Sequence, residues 1–220
     1  RKTEFLTAAK YRLGLPVYRQ EGQCPASTCK AVSDVFGDHA ISCGYRGERI
    51  AKHNHVRDAF HQTAAQAGLG PIREPNGLLP GSDDRPADIL LPFWHQGRDA
   101  ALDFTVVNPL QSALLARVAQ DGAKGVAHAH ATKLAKYWGR CEAEGVSFLP
   151  LAVDTFGGWH SSALETITKL GRQLARAVGR EEEVTVQHLR QRLAILLVRD
   201  NMSMLASRIS TFPTPEIDGE

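Results

Sequence analysis

Two aspartates stand in apolar runs that otherwise have the composition of buried β-strands. Asp88 lies in Arg85-Pro86-Ala87-Asp88-Ile89-Leu90-Leu91 and Asp103 in Ala101-Leu102-Asp103-Phe104-Thr105-Val106-Val107, each read as sitting at the end of its run. A carboxylate in a sheet is costly unless it is paired or bound to a cation. Two such strands close together therefore suggest a metal site. Lys133 and Lys136 follow on a helix, where residues three and four apart share a face, and either can turn its ammonium to the acids or to solvent. Glu74, just before Pro75 on the preceding extended stretch, is a candidate third carboxylate or a solvent-facing strand residue.

The periodicity around these residues predicts an α/β fold. Residues 3–13 read as a helix through Phe5, Leu6, Ala9 and Leu13, stopped by Gly14-Leu15-Pro16. Residues 47–67 read as a second, with Ile50, Val56, Phe60, Ala64 and Ala67 at helical steps and Gly68 as the stop. Extended segments at 72–79, 87–93 and 100–107 form an expected meander, parted by Pro80-Gly81-Ser82-Asp83-Asp84 and Gln96-Gly97-Arg98. A helical region at 112–144, broken near Gly122 and Gly125, leads to a strand at 146–155, helices at 161–178 and 184–207, and a frayed tail at 211–220. Helix, three strands, helix, strand is an α/β core with a mixed sheet. The chain divides into an N-terminal helix and metal module (1–46), the core (47–160), and C-terminal helices with the tail (161–220).

Cys24, Cys29, His39 and Cys43 form C-x4-C-x9-H-x3-C on a turn-rich stretch. Three thiolates and one imidazole match a closed tetrahedral zinc site, in which every position is a protein ligand and no water is left to react. Small buried cysteines beside a surface histidine are the plainer alternative. The segment has little core of its own, so a structural Zn2+ gives it something to fold around. Lys30 and Arg46 would stand beside such a module, facing a phosphate backbone. Cys141 lies apart and reads as a free core thiol. His128 and His130, two apart on a helix, point in different directions and are expected at the surface, as are Asp83, Asp84 and Asp99.

A formal net charge of +2 over 220 residues announces no nucleic-acid partner by bulk charge, so any such surface would come from local clusters. Arg46, Arg49, Lys52 and Arg57 form one, and Arg172, Arg176 and Arg180 another, though such runs are commonly solvated helix faces. No apolar run reaches the roughly 20 residues of a membrane span, so no membrane partner is expected. The chain begins at Arg1 rather than Met and shows no signal peptide, which we read as a cut-out or processed piece, leaving a leader or upstream domain open.

Taken in order, the segment from Cys24 through Asp38-His39-Ala40-Ile41-Ser42-Cys43, then Lys52-His53-Asn54-His55-Val56-Arg57, Arg85-Pro86-Ala87-Asp88, Leu102-Asp103-Phe104-Thr105-Val106 and Lys133-Leu134-Ala135-Lys136-Tyr137 resembles a known domain. It is the restriction-like endonuclease domain of site-specific non-LTR retrotransposons, within the PD-(D/E)XK nuclease superfamily. There a CCHC zinc knuckle stands directly before the nuclease and after a reverse transcriptase. The resemblance implies a restriction-endonuclease-like core, with Asp88 as the aspartate of the Pro-Asp motif and Asp103 as the second ligand of Mg2+ or Mn2+. Thr105 occupies the superfamily's usual lysine position, two after the second acid, which is a departure. Related retrotransposon domains carry that lysine on the following helix, which implies Lys133 first and Lys136 second. Ala87, inserted between Pro86 and Asp88, is a milder departure, since proline only sets where the strand begins. His53, Asn54 and Arg57 match the family's basic helix opening and imply contacts to DNA phosphate, or packing near the site.

The expected activity is hydrolysis of phosphodiester bonds by metal-activated water, acting on DNA and open to RNA. A lysine at the acids would orient that water and offset charge on the phosphorane. The location would be nuclear for a retrotransposon piece. Two other readings are a nucleic-acid-binding module that has lost catalysis, favoured by Thr105 and Ala87, and a secreted or host-directed effector built from a captured nuclease.

Overall fold

The computed structural model describes residues 2–209 and residue 212. The chain runs α1 (Lys2–Arg12), the short pair β1 (Gly22–Gln23) and β2 (Val32–Ser33), α2 (Asp38–Ser42), a 3-10 turn at Tyr45–Gly47, α3 (Glu48–Gln66), β3 (Ile72–Arg73), β4 (Ile89–His95), β5 (Arg98–Val107), α4 (Ser112–Val118), α5 (Lys124–Ala143), β6 (Ser147–Asp154), α6 (Ser161–Val178) and α7 (Glu182–Ala206). Four strands form a mixed sheet in the order β3-β4-β5-β6. The first three are antiparallel, and β6 runs parallel to β5 after the α4–α5 crossover, with Asp103 directly opposite Pro150.

Side chains alternate across a strand, so each face has its own core. Ile89, Leu91, Ala100, Leu102, Phe104, Leu151 and Val153 pack on one side with Val56 and Phe60 of α3 and with apolar residues of α6 and α7. Leu90, Ala101 and Phe148 meet Tyr137 and Cys141 of α5 on the other. The helices thus sandwich the sheet. Alternation along β5 puts Asp103 and Thr105 on the α5 face, beside Ala101.

A third cluster joins the chain's two ends: Tyr11, Val17, Tyr18, Ala40 and Ile41 pack with Met204, Leu205 and Phe212. Gly37 marks how closely they meet. Its φ is 87°, and a Cβ there would lie 2.4 Å from Leu205 Cδ2 and 2.9 Å from Val17 Cγ2. Among the described residues no helix is long and apolar enough to cross a membrane.

Several expectations need correction. α1 does not bury Phe5 and Leu13, which are 72% and 71% exposed; Thr7 and Tyr11, one turn apart, face inward. Ile50 of α3 is exposed as well. The strand expected at 72–79 ends after Arg73, because Glu74 takes a left-handed φ of 46° and Pro75 offers no N–H. Leu79 is nevertheless buried under α5. Asp103 lies in mid-strand rather than at the end of its run. Of the tail at 211–220 only Phe212 is described, and it is buried; the rest lies outside the described residues.

Gly37→Ala should destabilise the protein by roughly 2–4 kcal/mol, from left-handed strain and overpacking together. Urea unfolding checks this, as a lower midpoint at unchanged slope.

Candidate metal centres

The acid cluster forms where β4 begins. The Asp88 N–H donates to the Leu102 carbonyl at 2.8 Å, and the Asp88 carbonyl accepts from the Glu74 N–H at 2.8 Å, which pins the residue between the end of β3 and β5. Its Oδ2 accepts from the Phe104 N–H at 2.7 Å and lies 3.1 Å from His53 Nε2 on α3. If neutral, the imidazole must carry its proton on Nε2 to make that bond. Asp103, 6% exposed, meets Lys133 of α5, whose Nζ lies 3.0 Å from Oδ1 and 2.9 Å from Oδ2. Only the Oδ1 contact has hydrogen-bond geometry, so the buried Oδ2 lacks a well-directed donor.

The electrostatics follow from that burial. Desolvation pushes Asp103 up to about 6, opposed by the Lys133 ammonium and reinforced by Asp88. Asp88 is also raised by burial, against the Phe104 N–H, His53, Lys133 and Arg57. Burial lowers His53 despite the pull of Asp88. Asp103 therefore titrates higher in the folded chain than its ordinary 3.8. In the metal-free protein its contribution to stability is fully present below that value and is lost as pH rises through about 6.

The remaining residues divide around this pair. Glu74, half-exposed, pairs with the buried Arg57, which also holds Asp58 at 2.9 Å. Arg57 is thus occupied by two acids, in line with packing near the site. Lys52 is 1% exposed and contributes nothing to a basic surface, which corrects the cluster proposed around it. Asn54 is half-buried on the same helix. Lys136 turns to Asp84 at 3.8 Å and lies over the Tyr137 ring at 4.5 Å. Thr105 keeps its buried Oγ1 without a partner and lines a cleft of about 290 Å3 with Gln111, His128, Thr132 and Lys133. His128 is exposed as expected, whereas His130 stacks on His160 at 3.8 Å and reaches the Pro150 carbonyl at 3.3 Å.

Sequence reasoning placed His53 and Arg57 near DNA phosphate or near the site, and missed their direct contacts with Asp88 and Glu74. Their spacing of four residues, which puts both on one face of α3, is the signal that could have found them.

The second cluster lies at the N-terminal end. Cys24 follows β1, Cys29 sits in the β1–β2 connection, His39 is on α2 and Cys43 caps it. The four ligand atoms all lie within 4.8 Å of one another, with Cys24 Sγ to Cys43 Sγ at 3.6 Å and Cys29 Sγ to His39 Nε2 at 3.5 Å. A tetrahedral ion with bonds of about 2.0–2.3 Å separates its ligand atoms by roughly 3.5–4 Å. The four residues could therefore hold a metal such as zinc. The Asp34 carboxylate organises the site by accepting from the N–H groups of Asp38 and His39 at 3.0 and 2.8 Å. Without an ion, burial pushes the Cys24 thiol up to about 11, while the Ala31 backbone lowers Cys29. Arg46 lines the cleft over Cys29, His39 and Cys43 and lies 5.0 Å from the Tyr45 ring. Lys30 is exposed. Cys141 stands apart in the α5 core, as expected.

Two measurements test this geometry. In metal-free protein the Asp103 carboxyl 13C resonance should titrate near pH 6, and higher still in Lys133→Met; an ordinary midpoint in both would show that the group is not desolvated. Elemental analysis should give about one zinc per chain, with Cys43→Ser weakening zinc retention against a chelator by about tenfold or more. Zinc well below one per chain would remove the cluster from consideration.

No protein-family model and no curated protein matches the chain.

Proposed function

We propose that the chain is a metal-dependent endonuclease domain of the PD-(D/E)XK type, resembling that of site-specific non-LTR retrotransposons, and that it hydrolyses phosphodiester bonds in DNA. The observation that carries the reading is the Lys133 ammonium seated on the buried Asp103 carboxylate, on the same sheet as Asp88.

The donor set fits a hard divalent cation. The buried Asp103 carboxylate meets the Lys133 ammonium, the partly buried Asp88 carboxylate lies within that ammonium's field, and Asp103 Oδ2 has no directed donor. Asp88 and Asp103 would hold Mg2+ or Mn2+, with Glu74 a third candidate once freed from Arg57. When bound, such an ion polarises the phosphoryl oxygen and lowers the pKa of a water molecule. The chain's own groups supply the rest. The Phe104 N–H and His53 fix the orientation of Asp88 through Oδ2. Lys133 keeps a donor at the acids, suited to orienting water and offsetting charge on the phosphorane. The Cys24, Cys29, His39 and Cys43 cluster would carry structural zinc, with Lys30 and Arg46 beside it for a phosphate backbone. A second reading, a binding module without catalysis, is favoured by Thr105 at the usual lysine position.

Nicking of supercoiled plasmid in Mg2+ or Mn2+ at stated ionic strength tests both readings. Asp103→Ala should abolish cleavage while DNA binding persists, and Lys133→Ala should slow it by about 10²–10³-fold. Thr105→Lys in the Lys133→Ala background should recover part of the loss. Binding without cleavage by the unmodified chain in either metal would support the second reading and overturn the first.

A further inference from the structure

Lys52 is a lysine that neither cluster uses, and it is almost wholly inaccessible to solvent. Its Nζ donates to the Ile41 carbonyl of α2 at 3.3 Å and to Asn201 Oδ1 of α7 at 3.0 Å. From Asn201 the contacts continue: Nδ2 donates to the Thr155 carbonyl at 2.7 Å, just past β6. The Thr155 hydroxyl donates to Asn108 Oδ1 at 3.4 Å, and Asn108 Nδ2 returns to α2 through Ser42 Oγ at 2.8 Å and the Asp38 carbonyl at 3.1 Å. Lys52, Asn201, Thr155 and Asn108 are all buried. The bonds therefore close a ring through α2, α3, α7 and the ends of β5 and β6.

α2 is the weak member of that ring. It has five residues, far short of the roughly 12–15 at which an isolated helix becomes even marginal. The Ile41 carbonyl in its last turn has no intrahelical partner and accepts from Lys52, while Asn108 holds the helix at the Asp38 carbonyl and the Ser42 hydroxyl. The same helix carries His39, with Cys43 next after it. On the far side, Lys52 immediately precedes His53, the residue against Asp88, and Asn108 directly follows β5, the strand that carries Asp103. Loss of α2 would leave the buried Lys52 ammonium with Asn201 as its remaining acceptor and the buried Asn108 amide without Ser42 and Asp38, a cost that α3 escapes only by shifting.

We propose that this ring makes the geometry of the acid cluster depend on occupation of the Cys/His cluster, and that Lys52 is the positioning residue through which the dependence passes. The proposal rests on the nuclease reading only for the identity of the ion at the acids. Its structural part, transmission from α2 to α3, stands separately.

The test uses the full chain, zinc-loaded or stripped with a chelator and verified by elemental analysis. Amide hydrogen exchange and Mn2+ binding by electron paramagnetic resonance are the two readouts, with Asp103→Ala marking which Mn2+ is bound at the acids. In the unmodified chain, stripping zinc should raise exchange in the first turns of α3 and weaken Mn2+ at the acids by about tenfold or more. Lys52→Met should keep its zinc and its circular dichroism, bind Mn2+ about tenfold more weakly, and respond little to further stripping, because removal of either link breaks the same ring. Unchanged α3 exchange on stripping, or two losses that simply add, would overturn the proposal. If Lys52→Met fails to fold, Asn108→Ala tests the other half of the ring, and the exchange comparison on the unmodified chain needs no variant. If the unmodified chain binds no Mn2+ that Asp103→Ala removes, the nuclease reading fails while exchange still decides the coupling.

Discussion

A carboxylate in the middle of a central strand is the constraint around which this structure is arranged. Asp103 is buried by β4 and β6 on either side and by α5 above, and burial is the main reason its titration rises to about 6 against the opposing Lys133 ammonium. One ammonium, from Lys133, meets it. That contact requires α5 to cross the sheet at one rotation about its axis, and the rotation in turn sets which residues of α5 are core and which are surface. Asp88 adds a second, partly buried carboxylate, held at a single oxygen by a strand amide and an imidazole. Burial raises both carboxylates above their ordinary range, and Lys133, His53 and Arg57 oppose that rise without cancelling it.

Much of this was legible in the residues because the sheet is two-sided. The near-continuous apolar runs of β4 and β5, covered on both faces, and the three- and four-residue steps of α3 and α6 are dictated by what each face touches, so these elements appear where the pattern places them. The two aspartates were conspicuous because they break that pattern. Lys133 was a candidate from position, yet its choice over Lys136 follows from a stripe already present in the chain. Lys133, Tyr137 and Cys141 recur at steps of four and share the buried face, whereas Lys136 and Arg140 form the neighbouring stripe and both turn to Asp84.

Other features needed long-range contacts that no local pattern carries. Phe5 and Leu13 looked like the inner face of α1, but the inner face is set by Thr7 and Tyr11, the latter stacked on Phe156. The extended segment before Asp88 had strand-like composition, and Pro75 together with the left-handed turn at Glu74 cut it to two residues. Lys52 sat in a row of basic residues with nothing local to separate it from solvated ones. Its burial depends on Asn201, which lies 149 positions away. The four metal-type ligands were the opposite case, since their residue types and spacing lie within one short segment.

The third core, where Tyr11, Tyr18 and Ile41 meet Met204, Leu205 and Phe212, has a consequence for the order in which the chain acquires structure. Contacts of such long sequence separation form late, because the intervening chain must be closed into a loop before they contribute. During vectorial synthesis the segment bearing Cys24 to Cys43 emerges early and waits, with its apolar side uncovered, until α7 arrives. Its thiols then have only one another, or a metal ion, for company. A cluster that captures its ion early would hold this segment in native form through that interval, and one that does not would leave it exposed to oxidation and misassembly.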